Sequence, residues 1–151
     1  MKKIYLIITI LLYSCLSKND TNLSLNNLFQ DNMVIQHESV VPVWGNSKSN
    51  TEVKLMSSWG ESITTTSDSK GYWKTNIKTP KADNISHNII VTSDNEKIII
   101  NDVLLGEVWL ASGQSNMQWR IRQSLNSHEI LNLEENTNIR MITVDRNLSL
   151  K

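Results

Sequence analysis

Apolar residues in this chain come in short groups separated by polar turns. Thr51-Glu52-Val53-Lys54-Leu55-Met56 alternates polar and apolar, the period of a strand with one buried face. Residues 72–77, 87–92 and 97–100 read as further strands, and residues 62–66 as a β-branched one. Residues 28–36 form two short apolar pieces around a turn at Asp31-Asn32. Residues 40–45 are β-rich and contain Pro42, which cannot donate to a ladder; an edge, a strand start or a bulge is expected there. Turn signals punctuate these runs at residues 45–50, 57–61, 68–71, 80–84 and 93–96. About seven short strands with turns every eight to twelve residues predict a mainly β chain, with an antiparallel β-sandwich over residues 28–101.

The pattern changes at Asn101-Asp102. Val103-Leu104-Leu105-Gly106 leads into Val108-Trp109-Leu110-Ala111, an apolar run of the kind a buried parallel strand makes. The run breaks at Ser112-Gly113 and places Gln114-Ser115-Asn116 where a helix can begin. Residues 127–135 read as a short amphipathic helix, with Ser127 as N-cap and Glu129 in the first turn. Residues 139–144 read as a second strand. Strand, turn, helix and strand in that order are the start of a parallel α/β unit. Two such strands cannot bury their own faces, so residues 102–151 are expected to be the opening part of a larger domain.

The amino terminus departs from both patterns. Lys2-Lys3 and an apolar run over residues 4–13 make a signal-type segment too short to span a bilayer. Leu12-Tyr13-Ser14-Cys15 resembles a bacterial lipobox, although Tyr13 is unusual in it. Cys15 is the single cysteine; lipidation explains its position and solitude, and a free thiol or an intermolecular disulfide is the alternative. Residues 1–15 are thus expected to be a lipoprotein-type signal and residues 16–27 a tether. The mature protein would then be held to the membrane by an N-terminal lipid anchor in the bacterial cell envelope.

Composition narrows the function. The 151 residues carry 15 basic and 15 acidic side chains, a formal net charge of zero. Losing Lys2 and Lys3 leaves 13 against 15, a net of −2. Nucleic-acid binding, which needs a basic stripe, is not expected. Five Trp are many for this length. Trp44, Trp59 and Trp73 fall in the β part, where packing competes with sugar stacking as their role.

A serine on a strand-to-helix turn is how several hydrolases present a nucleophile. The block Gly106-Glu107-Val108-Trp109-Leu110-Ala111-Ser112-Gly113-Gln114-Ser115-Asn116-Met117 resembles the nucleophile block of the sialate O-acetylesterase family, within the SGNH hydrolase superfamily. Residues 28–36, Pro42-Val43-Trp44-Gly45, Gly71-Tyr72-Trp73 and Asn138-Ile139-Arg140 resemble further segments of that family, in the right order over about residues 28–145. The resemblance implies a β-sandwich followed by a flavodoxin-like α/β esterase domain that removes O-acetyl groups from sialic acid or related acetylated sugars. It implies a serine nucleophile, at Ser115, and a downstream Asp-x-x-His pair, which this chain does not contain.

Ser115 is therefore the expected nucleophile, its own backbone N–H an oxyanion donor. Gly113, Gln114 and Asn116 are expected to support the turn, by side-chain bracing or by simple turn preference. Trp119 either lines a pocket or packs beneath the turn, and Trp109 is expected in the core. Arg120 and Arg122 suit a substrate carboxylate or a solvated surface. His37, His87 and His128 follow no general-base pattern, so the 151-residue chain is expected to be inactive as it stands. No metal or other cofactor is expected. The competing reading is a non-catalytic envelope lipoprotein whose β domain docks a glycan or a partner.

Overall fold

The structure, a computed structural model, describes residues 22–134 and 136–144. The expected signal segment, Cys15 and residues 16–21 of the tether lie outside the described residues, as do residues 145–151.

The protein is mainly β, with two sheets. The strands are β1 (Ser24–Leu25), β2 (Val34–Gln36), β3 (Val40–Asn46), β4 (Glu52–Ser57), β5 (Ser62–Thr66), β6 (Tyr72–Lys78), β7 (His87–Ser93) and β8 (Glu96–Gly106). One sheet has the order β1-β3-β6, the other β2-β8-β7-β4-β5. Alternation along the strands sends one set of side chains inward: Val43 from β3, Val53 and Leu55 from β4, Trp73 and Ile77 from β6, Ile89 and Val91 from β7. With Ile100, Val103 and Leu105 of β8 and Ile35 of β2 they form a single core fed by both sheets.

The turns form where turn chemistry stands in the sequence. Asp68 Oδ1 accepts the N–H groups of Lys70 (2.8 Å) and Tyr72 (2.9 Å), and Gly71 takes φ +86°, so that turn closes by its own side chain. Pro42 sits on β3 where β1 does not reach, since β1 pairs only with Gly45 and Asn46. Its missing N–H therefore faces an open edge.

The structure departs from the sequence reading in four places. First, the pairing is not wholly antiparallel: β2 runs parallel to β8, Val34 opposite Leu104 and Gln36 opposite Gly106. No tight turn links these two strands, so nothing forces the antiparallel sense. Second, the strand read over residues 97–100 runs on through the polar pair Asn101-Asp102, which lies inside β8. Ile89 faces Ile100 but His87 faces Val103, so β8 carries an extra residue there, with Asp102 at φ +52°. This is a β-bulge. Its polar groups are satisfied locally: Asp31 Oδ1 accepts the Asn101 N–H at 2.6 Å, and the Asn32 N–H donates to the Asn101 carbonyl at 3.0 Å. Third, neither residues 108–111 nor residues 139–144 are strands. Trp109 is 85% exposed and Leu110 93%, so the expected core place of Trp109 is not taken. An apolar run becomes a buried strand only between hydrogen-bonding neighbours, and no described residues flank it. Fourth, the helix α1 spans Ser127–Leu131 and ends four residues short of expectation; Asn126, at φ +59°, is its N-cap in place of Ser127.

Candidate functional site

The chain leaves the sheet at Gly106, and the end of β2 fixes how it leaves. The His37 N–H donates to the Gly106 carbonyl at 3.1 Å. The Val108 N–H donates to Gln36 Oε1 at 2.9 Å, and Gln36 Nε2 donates to Glu107 Oε2 at 3.3 Å. His37 Nε2 lies 3.0 Å from Glu107 Oε1, and its Nδ1 3.3 Å from Glu38 Oε2. The His37 imidazole, and after it the Gln36 amide, hold the Glu107 carboxyl below its ordinary value. Residues 106–108 are thus seated by both side chains that close β2.

Beyond this anchor the chain forms neither strand nor helix up to Gln114 and then makes a 3-10 turn over Ser115–Gln118. The Met117 N–H donates to the Gln114 carbonyl at 2.9 Å and the Trp119 N–H to the Asn116 carbonyl at 3.3 Å. Gly113 is required by the geometry: its φ is +153°, and a Cβ there would meet Met117 Cγ at 3.1 Å. Ser115 opens the turn, so its own N–H has no acceptor within it. The Ser115 hydroxyl is exposed and makes no hydrogen bond among the described residues.

The other expected site residues are near in sequence but do not converge. The Gln114 and Asn116 side chains make no hydrogen bond among the described residues, so side-chain bracing is not what forms the turn. Trp119 is exposed. Arg120 uses its backbone, its N–H donating to Gln123 Oε1 at 3.0 Å, and Arg122 lies in the 3-10 turn Ile121–Gln123. Both side chains are exposed. Among the described residues none of the three histidines meets Ser115: His37 is committed to Glu107, His87 to Ser58 and Asp83, and His128 is in α1.

Arg140 is a second anchor, and one that sequence reading passes over. Its Nη2 pairs with Asp102 Oδ2 at 2.8 Å, while Nη1 donates to the Asp102 carbonyl and, at 3.4 Å, to that of Met33. The bulge that turns Asp102 outward thereby receives the segment at residues 136–144. The Ser86 hydroxyl first, and then Arg140, hold the Asp102 carboxyl below its ordinary value. One signal was present in the sequence: an arginine inside the apolar run Ile139-Arg140-Met141-Ile142 needs an acceptor of its own.

No protein-family model matches the chain, and no curated protein matches it. Among solved structures it is similar to a carbohydrate acetylesterase from Xanthomonas citri, with 30% sequence identity and a TM-score of 0.69. The match covers 76% of this chain and 26% of that one, so the chain spans about a quarter of that enzyme's length.

Proposed function

We propose that this chain is the N-terminal part of a carbohydrate O-acetylesterase of the sialate O-acetylesterase type, with Ser115 as its nucleophile. The observation that carries the reading is the 30% identity to a carbohydrate acetylesterase over a match that takes in three quarters of this chain. In this reading the two sheets are a β-sandwich, and residues 102–151 open an SGNH α/β domain. The exposed apolar side chains of Val108, Trp109, Leu110, Ile139 and Ile142 support it, because a parallel sheet buries such residues on both faces. Ser115 attacks the acetyl carbonyl, the oxyanion is held by backbone N–H groups beginning with its own, and water then hydrolyses the acetyl-enzyme. Gly113 shapes the turn, Gln114 and Asn116 flank it, and Trp119 and Arg120 border the sugar. The substrate is an O-acetylated sialic acid or a related glycan. Lipidation at Cys15 anchors the protein in the bacterial envelope.

Among the described residues no base stands beside Ser115, so the 151-residue chain is expected to show no Ser115-dependent turnover. Acetate release from an O-acetyl sialoside and from acetylated xylan checks this, for the chain and for any in-frame product reading beyond codon 151. Ser115-dependent turnover is expected only in a product bearing an Asp-x-x-His, where Ser115→Ala should lower that turnover by at least about a thousandfold. Turnover by the 151-residue chain that disappears in Ser115→Ala would overturn the expected inactivity. A longer product whose turnover is undiminished in Ser115→Ala would remove Ser115 from the reaction. Glycan binding without turnover in every product would favour the binding-module reading.

A further inference from the structure

Away from the 3-10 turn, the structure holds a hydrogen-bonded serine–histidine–aspartate line that the Ser115 reading does not use. Ser58 Oγ lies 2.9 Å from His87 Nδ1. His87 Nε2 lies 3.2 and 3.1 Å from the two carboxylate oxygens of Asp83. The line joins the turn after β4, the first residue of β7 and the loop before it. His87 is buried, whereas Ser58 and Asp83 are exposed.

The donor inventory fixes where the protons sit. An ionised Asp83 only accepts, so His87 Nε2 must carry the hydrogen it donates. In the neutral imidazole His87 Nδ1 is then the acceptor, and the Ser58 hydroxyl supplies that hydrogen. Ser58 Oγ in turn accepts the Asn88 N–H at 3.1 Å, which fixes its rotamer. The Ile85 N–H first, and with it His87, hold the Asp83 carboxyl below its ordinary value. The imidazole is held from the side as well. The Trp59 ring meets it edge-on, at 5.4 Å between centroids and 88° between planes, and is fixed by its Nε1 donating to the Lys78 carbonyl at 2.9 Å. The Trp59 backbone N–H makes no hydrogen bond among the described residues. It follows the serine directly, where hydrolases draw an oxyanion donor.

We propose that Ser58 is a second, independent nucleophile, activated by His87 and Asp83 and open to esters of short-chain carboxylic acids. In the acylation step the Ser58 Oγ–C bond forms and the ester C–O bond breaks. The hydroxyl proton passes to His87 Nδ1 and then to the departing alkoxide, and water releases the acid by the same route in reverse. The two ring nitrogens exchange the roles they have in serine proteases, which leaves the direction of proton transfer unchanged.

An alkyl fluorophosphonate tests this, because Ser58 Oγ would displace fluoride from phosphorus while His87 takes the proton. After labelling of the native 151-residue chain, trypsin separates the two serines, Ser58 in residues 55–70 and Ser115 in residues 98–120. The label is expected on Ser58, at least about tenfold faster than on Ser57 or Ser62 of the same peptide. Labelling at Ser58 should fall about tenfold or more in His87→Gln and in Asp83→Asn. Asp83 is exposed, so the second variant keeps the test alive if the first fails to fold. Equal labelling of Ser57, Ser58 and Ser62, or labelling of Ser58 unchanged in folded Asp83→Asn, overturns the proposal. Ser115, with no base beside it among the described residues, is expected to stay unlabelled on the other peptide, and its role is read separately from the longer product.

Discussion

Trp73 is the largest side chain wholly inside the core, and its indole Nε1 finds no acceptor among the described residues. An unpartnered buried donor costs about 1–3 kcal/mol. Truncating a buried tryptophan to alanine costs about 3–5 kcal/mol through lost transfer energy and the cavity left behind. The two terms oppose each other in Trp73→Phe, which removes the donor while keeping most of the apolar volume. Trp73→Phe is therefore expected to cost about 1 kcal/mol and Trp73→Ala about 3–5 kcal/mol, read as shifts in urea midpoint at constant m-value. If Phe proves as costly as Ala, the N–H is bonded in solution and the orphan is wrong. Trp73 thus takes the packing role weighed for it. Trp44 stacks edge-on against Phe29 at 4.9 Å, which is packing as well.

At the scale of the elements, Gly45 shows why β1 exists at all. A Cβ at that position would press into the Ser24 carbonyl oxygen and reach Trp73 Cζ2 at 3.0 Å. Only glycine lets a two-residue strand lie this close to β3 and above the Trp73 ring. Gly45→Ala is expected to detach β1 and to cost about 1–3 kcal/mol, the range for overpacking. Loss of hydrogen-exchange protection at the Asn26 amide, which donates to the Trp44 carbonyl at 3.3 Å, would report it. Retained protection there would mean that the backbone absorbs the clash. The strands β4 to β7 were legible because their signals are local: alternation in residues 51–56, and turn chemistry at residues 68–71. The upper half of β8 was not, because Asn101-Asp102 reads as a break. Asp31 and Asn32, some 70 residues earlier, and Arg140, 38 residues later, satisfy the bulge. Residues 108–111 misled in the opposite sense. Their composition suits a buried strand, but a strand is defined by neighbours, and neighbours are not written in its own residues.

For the molecule as a whole, residues 107–144 are joined to the sheets through carboxylates. Glu107 is held by His37 and Gln36, and Asp102 by the Ser86 hydroxyl and Arg140. The same logic explains why the seat of the segment escaped sequence reading while the turn that carries Ser115 did not. Ser115 stands in a contiguous block, whereas Glu107 meets partners some 70 residues earlier and Arg140 reaches back 38. The folded pKa of Glu107, of Asp102 and of Asp83 each lies below the ordinary value. In acid the unfolded chain then binds more protons than the folded one, and stability rises with pH across that window. The contribution of these groups is complete above the ordinary carboxylate range, at about pH 4, and is lost as the pH falls through the lowered folded values. Because these side chains are exposed, the loss is expected to be local. Amide exchange followed by NMR from neutral pH into acid should show His37 and Val108 losing protection before the amides shared by β4 and β7. Glu107→Gln should remove most of the pH dependence at these two amides and leave the Asp102–Arg140 seat responsive. Protection at His37 and Val108 that stays level through this range would show that Glu107 does not seat the chain where it departs toward Ser115.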